Sequence, residues 1–89
     1  ARRGDHAEAA AFLRNAVLDQ PRDTEAWVAL GLALESYADG RATPASRYAW
    51  ARARALAPQS PAPPYFEALG FLREGSFVEA RDSLAEAVA

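Results

Sequence analysis

The chain contains no cysteine and no methionine, and because all ten of its basic residues are arginine it contains no lysine either. Without cysteine there is no disulfide, no thiolate nucleophile and no cysteine-ligated zinc site. No apolar run approaches the roughly 18–20 residues that a transmembrane helix needs, so we expect the fragment not to span a membrane. The missing initiator methionine and targeting segment indicate a piece cut from a longer protein, whose membrane anchor, if it has one, lies outside this fragment.

The balance of charge is close to neutral. The 89 residues carry ten basic and twelve acidic side chains, for a net charge of −2. This balance argues against nucleic acid and against an acidic membrane surface as partners. Twenty-three residues are alanine, a composition that favours helices and nearly excludes an all-β fold.

Small and apolar residues recur with helical spacing after two glycines. Gly4 and Gly75 are 71 positions apart, three more than two periods of 34 residues, and we place the three extra residues between Tyr37 and Thr43. The recurring residues are Phe77, Ala80, Leu84 and Ala87 after Gly75, and Ala9, Leu13 and Ala16 after Gly4. The pattern indicates a repeat of helical units.

Five helices are predicted, at residues 5–19, 24–37, 44–57, 61–74 and 76–88. The predicted starts are Asp23, Thr43 before Pro44, Ser60 before Pro61, and Ser76 with Glu79 as a capping box. Gly40 and Gly75 mark turns. The three arginines of the third helix, Arg47, Arg52 and Arg54, are interpreted as a solvated face.

The middle unit resembles a tetratricopeptide repeat through Trp27, Leu30, Gly31, Leu34, Trp50, Ala53 and Pro58. The next unit repeats the pattern with Ala68, Phe71, Gly75, Phe77, Ala80, Leu84 and Ala87, although Pro64 and Glu67 replace the usual aromatic residue and leucine. The resemblance implies an all-α, right-handed solenoid of antiparallel helical hairpins in which residues 1–89 form one domain. That domain would consist of a trailing helix (5–19) and two hairpins (24–57 and 61–88).

Residues that could perform chemistry are few. His6 is the one histidine and has no serine or metal-ligand partner nearby in the sequence, and the carboxylate pairs Asp19 with Asp23 and Glu74 with Glu79 flank helix ends, where solvated or capping roles are ordinary. The five glycines do not form a phosphate-binding loop. We therefore expect a binding module without enzymatic activity, metal or cofactor.

The resemblance also places a peptide-binding groove on the first helix of each hairpin. Matched position by position, the groove residues are Glu25, Val28, Leu32, Glu35, Tyr65, Leu69, Leu72 and Arg73. Most of them are apolar, which suits an amphipathic helix laid into the groove. With no lysine, the chain lacks the clamp by which related domains hold the carboxylate tails of heat-shock chaperones. A neighbouring hairpin or a capping helix that covers the same residues is the alternative.

The extended turn from Ala38 to Pro44 and the segment from Ala53 to Phe66 resemble the periplasmic tetratricopeptide subunits of bacterial cytochrome c maturation. That resemblance implies a membrane-anchored chaperone that holds the C-terminal helix of apocytochrome c, in the periplasm. The alternatives are a tetratricopeptide scaffold that assembles another bacterial complex, a cytoplasmic location, and self-association through exposed ends of the solenoid.

Overall fold

A computed structural model describes the backbone of residues 3–89 and the side chains from residue 7 onward. Within this range the chain is all-helical and has no strand. The five helices are α1 (Arg3–Asp19), α2 (Thr24–Tyr37), α3 (Pro44–Leu56), α4 (Ala62–Arg73) and α5 (Phe77–Val88). The all-α class is thus confirmed, and every helix end lies within two residues of its predicted position.

Two of the predicted helix starts are confirmed in atomic detail. The Asp23 carboxylate accepts a hydrogen bond from the Ala26 N–H at 3.2 Å. At the start of α3 the Thr43 hydroxyl accepts from the Ser46 N–H at 3.1 Å, and the Ser46 hydroxyl accepts from the Thr43 N–H at 2.9 Å. This reciprocal capping box leaves Pro44 at the first helical position, where a missing N–H costs nothing.

The other two predicted starts lie within one residue of the observed helix starts, but the capping box predicted at Ser76 does not form. Ser76 is the N-cap residue of α5, but its hydroxyl donates to the Glu74 carboxylate at 3.3 Å and accepts no capping hydrogen bond from the first turn of the helix. The residue at the N-cap of α4 is Pro61, and the hydroxyl of Ser60 reaches only the Ala62 N–H at 3.3 Å. Both glycine turns are confirmed, since Gly40 and Gly75 have φ values of 84° and 79°.

Each helix packs against the next one in the chain, and α2 also contacts α4. Trp50 of α3 fills the centre of the molecule with no exposed surface, and its ring lies directly against Gly31 of α2. Phe66 of α4 is stacked with the Trp50 ring at 6.3 Å between centroids. Ala49 and Ala53 of α3 and Ala68 of α4 are small residues with no exposed surface. Small residues let the helix axes approach closely, and the large indole fills the space that they leave.

The predicted inward stripes of the two outer helices need correction. In α1 the buried residues are Ala10 and Val17, while Ala9 is exposed, so the helix is rotated by about one residue from the prediction. In α5 the predicted stripe is confirmed for buried Ala80 and for half-buried Leu84 and Ala87, but Phe77 is 68% exposed. The spacing of three and four residues was right, but alanine-rich helices offer several equivalent stripes.

Candidate functional site

Three of the predicted groove residues meet in one open cavity between α2 and α4. Glu25, Val28 and Leu32 line a space of about 270 Å³ together with Ala62 of α4. The cavity opens to solvent beside exposed Glu25, whereas Val28 and Leu32 are half-buried in its wall. We call this cavity the α2–α4 groove. It exists because the first helices of the two predicted hairpins contact each other.

Tyr65 lies in an adjoining cavity of about 360 Å³ between α4 and the end of α5. Its ring meets Phe66 edge-on at 5.4 Å between centroids, and it is 46% exposed. Ala62 lines both this cavity and the α2–α4 groove, so the two spaces adjoin at one residue. The remaining lining residues of the second cavity, Pro61, Ala87 and Val88, are apolar as well.

Three further predicted residues lie apart from these cavities. Leu69 is half-buried, Leu72 is 42% exposed, and neither is among the residues that line the spaces around Val28 and Tyr65. Arg73 points to the loop between α2 and α3, where its stem packs against Gly40. The structure therefore brings only part of the predicted groove together.

Glu35, predicted at the groove edge, is instead buried and 1% exposed. The Trp50 indole N–H donates to its Oε2 at 3.0 Å, and Gly70 of α4 lies directly against its carboxylate. Its Oε1 has no hydrogen-bond partner among the described residues. A carboxylate in this position joins α2, α3 and α4 and does not reach the groove.

Burial raises the pKa of Glu35 above the ordinary glutamate value. The hydrogen bond from Trp50 and the charge of Arg73 act in the opposite direction, and the charge of Glu67 adds to the increase. The effect of burial prevails because water cannot solvate the ionised carboxylate at this three-helix junction.

Arg54 was interpreted as part of a solvated face, and that interpretation is wrong. Its guanidinium pairs with Glu67 of α4 at 2.5 Å and with Glu86 of α5 at 2.9 Å, so one side chain ties three helices together. Glu67 is only 6% exposed. The sequence contained a signal for this ion pair. Glu67 stands where the repeat pattern has leucine, and a buried carboxylate needs a cationic partner.

The described side chains, from residue 7 onward, include no cluster of three or more His, Asp or Glu residues that could hold a metal ion. The side chain of His6 lies outside the described residues. No helix within residues 3–89 combines the length and apolar character needed to cross a bilayer. No family model, no curated protein and no solved structure matches this chain.

Proposed function

We propose that this chain is a non-enzymatic helical-repeat module of the tetratricopeptide type that binds an amphipathic helix in the α2–α4 groove. The observation that carries the proposal is the meeting of Glu25, Val28 and Leu32 with Ala62 in one open cavity. A repeat array presents its first helices side by side in this way, and an apolar wall edged by a carboxylate suits a ligand helix with one apolar face.

Within this class of ligand we propose the C-terminal helix of an apocytochrome c, held by a periplasmic chaperone of cytochrome c maturation. The support is the resemblance of the turn between Ala38 and Pro44, which the structure forms as a loop of six residues, 38–43, between α2 and α3. An unfolded cytochrome would offer an amphipathic C-terminal segment whose apolar face needs cover before haem is attached.

A scaffold that assembles another complex is the second candidate. The observation that favours it is the apolar cavity around Tyr65 and Val88, at the face of α4 and α5 that no later helix covers among the described residues. Val88 is 84% exposed there. Such a face would receive a further helical unit or a second copy of the chain.

The test is titration of the purified chain with a labelled peptide of the C-terminal helix of a c-type apocytochrome, beside a scrambled peptide of equal composition. We expect micromolar binding to the first peptide alone, and Leu32→Asp should weaken it at least tenfold, about 1.4 kcal/mol. Ala85→Asp, on the exposed side of α5, is the control. Equal binding of both peptides, or an unaffected Leu32→Asp variant with intact helix content, would contradict the proposal.

A further inference from the structure

A second apolar surface follows another face of α2. Trp27, Leu30 and Leu34 succeed one another at helical spacing and line a cavity of about 420 Å³. Leu34 and Ala45 also line the neighbouring cavity of about 830 Å³, which extends the surface past Tyr37. From Trp27 to Tyr37 this surface measures about 15 Å, the length of about three helical turns. We call it the α1–α3 groove.

The walls of this groove are two helices that do not touch each other. Val17 and Leu18 of α1 form one wall and Ala45 and Tyr48 of α3 form the other, while α1 and α3 have no contact within the described residues. Leu18 is 76% exposed and Tyr48 is 61% exposed, with its ring edge-on to Trp27 at 5.8 Å. Trp27 and Leu30 are only 8% and 6% exposed and belong to the core, so the apolar surface that the groove leaves accessible consists of Leu18, Tyr48 and half-buried Leu34.

Positive charge surrounds this apolar surface. Arg14 lines the first cavity, Arg41 and Arg73 line the second, and the Arg52 guanidinium lies over the Trp27 ring at 5.7 Å. None of these four forms an ion pair with another residue whose side chain the structure describes. Among the lining residues that the structure describes, Asp39 is the one acidic residue of the two cavities. Such a rim attracts carboxylates and repels lysine-rich segments.

We propose that the α1–α3 groove binds an acidic amphipathic helix of a partner protein. The ligand would place apolar residues at i, i+3, i+4 and i+7 against Leu18, Leu34 and Tyr48, and its flanking carboxylates would meet the arginines on both walls. This site is separate from the α2–α4 groove, whose charged lining residue is Glu25. The two surfaces would let one short chain bind two different helices.

The probe is a synthetic peptide of about 14 residues with leucine at the four apolar positions, glutamate at the positions that flank them and alanine elsewhere, compared with its lysine twin. Fluorescence anisotropy with the 89-residue chain should show at least tenfold tighter binding of the glutamate peptide. Its affinity should fall as ionic strength rises from about 0.05 to 0.5 M, because the contacts with arginine are screened. Equal affinity for the two peptides, or no binding of either, would overturn the proposal.

Two matched pairs of variants locate the binding. Leu18→Asp should weaken the glutamate peptide at least tenfold, whereas Phe12→Asp, also on α1 and 72% exposed but not lining either cavity of the groove, should not. Arg14→Glu should also weaken binding of the glutamate peptide at least tenfold. Arg81→Glu, an equal change of charge on α5, should leave that binding unchanged. Circular dichroism checks the fold of each variant, and equal losses within a pair would overturn the proposal.

Leu32→Asp separates this site from the one proposed above. It should leave the affinity for the glutamate peptide unchanged while it weakens the apocytochrome peptide. If Leu32→Asp weakens the glutamate peptide and Leu18→Asp does not, that peptide binds in the α2–α4 groove, and the inference about the α1–α3 groove fails while the proposed function stands.

Discussion

At the scale of single residues, Glu35 is the side chain whose burial has the clearest effect on stability. Its carboxylate is 1% exposed and lies where α2, α3 and α4 meet. Its pKa in the folded chain is raised by burial, so between the unfolded and folded pKa values the folded state binds more protons than the unfolded state. The free energy of unfolding must therefore fall as pH rises through that window, which begins at about pH 4.

The variant Glu35→Gln should remove this fall, because glutamine does not titrate and can still accept the hydrogen bond from Trp50. Relative to the unmodified chain, Glu35→Gln should gain stability as pH rises from about 4 through the raised folded pKa. Urea denaturation at a series of pH values measures the difference. Parallel stability curves for the two proteins would show that Glu35 does not titrate with a raised pKa.

Arg54 gives a second prediction at this scale. Replacing it by alanine leaves buried Glu67 without its cationic partner, and we expect a loss of about 3 kcal/mol in the free energy of unfolding. The control is Arg47→Ala, whose pair with Glu74 spans 3.7 Å at a half-exposed site and should cost less than about 1 kcal/mol. Equal losses in the two variants would mean that the Arg54 bridge between three helices contributes little.

At the scale of elements, the contact between α2 and α3 depends on the absence of a side chain at Gly31. A Cβ built there would lie 2.8 Å from two ring atoms of Trp50 and 2.9 Å from a third, and the buried ring has no room to move. Overpacking of this kind costs about 1–3 kcal/mol, more than the gain of about 1 kcal/mol that alanine brings to a helix.

Gly31→Ala should therefore lower the free energy of unfolding, by up to about 2 kcal/mol. The comparison is Ser36→Ala at an exposed position of α2, where a smaller gain in helix propensity of about 0.5 kcal/mol is not opposed by a buried ring and should stabilise the chain. Denaturant titration of both variants decides the matter. A stabilised Gly31→Ala would mean that α2 and α3 are not pressed together at this point.

The helix boundaries were largely predictable because the residues that set them act locally. Asp23, Thr43 and Gly40 each act within a few residues of their own position, and the helix ends they imply agree with the structure. Ser76 is the N-cap residue of α5, but its hydroxyl donates to Glu74 and makes no capping hydrogen bond, so the predicted capping box is absent. Which stripe of an alanine-rich helix turns inward depends on its neighbours, so the exposure of Ala9 and Phe77 could not be read from spacing.

At the scale of the whole molecule, the candidate site was only partly predictable because it depends on how the helices stack. Val28 and Leu32 were predicted from the groove positions that the resemblance implies, and the contact of α2 with α4 brings Ala62 to them. The burial of Glu35 and the position of Arg73 against Gly40 follow from the packing of α4 near α2. That packing cannot be predicted from the sequence of either helix alone.

The central claim is that the α2–α4 groove holds a peptide helix, and amide chemical-shift mapping tests it most directly. On titration of the isotopically labelled chain with the apocytochrome peptide, we predict that shifts concentrate around Glu25, Val28, Leu32 and Ala62. Shifts confined to α5 or to the α1–α3 groove, or no shifts at millimolar peptide, would contradict the claim.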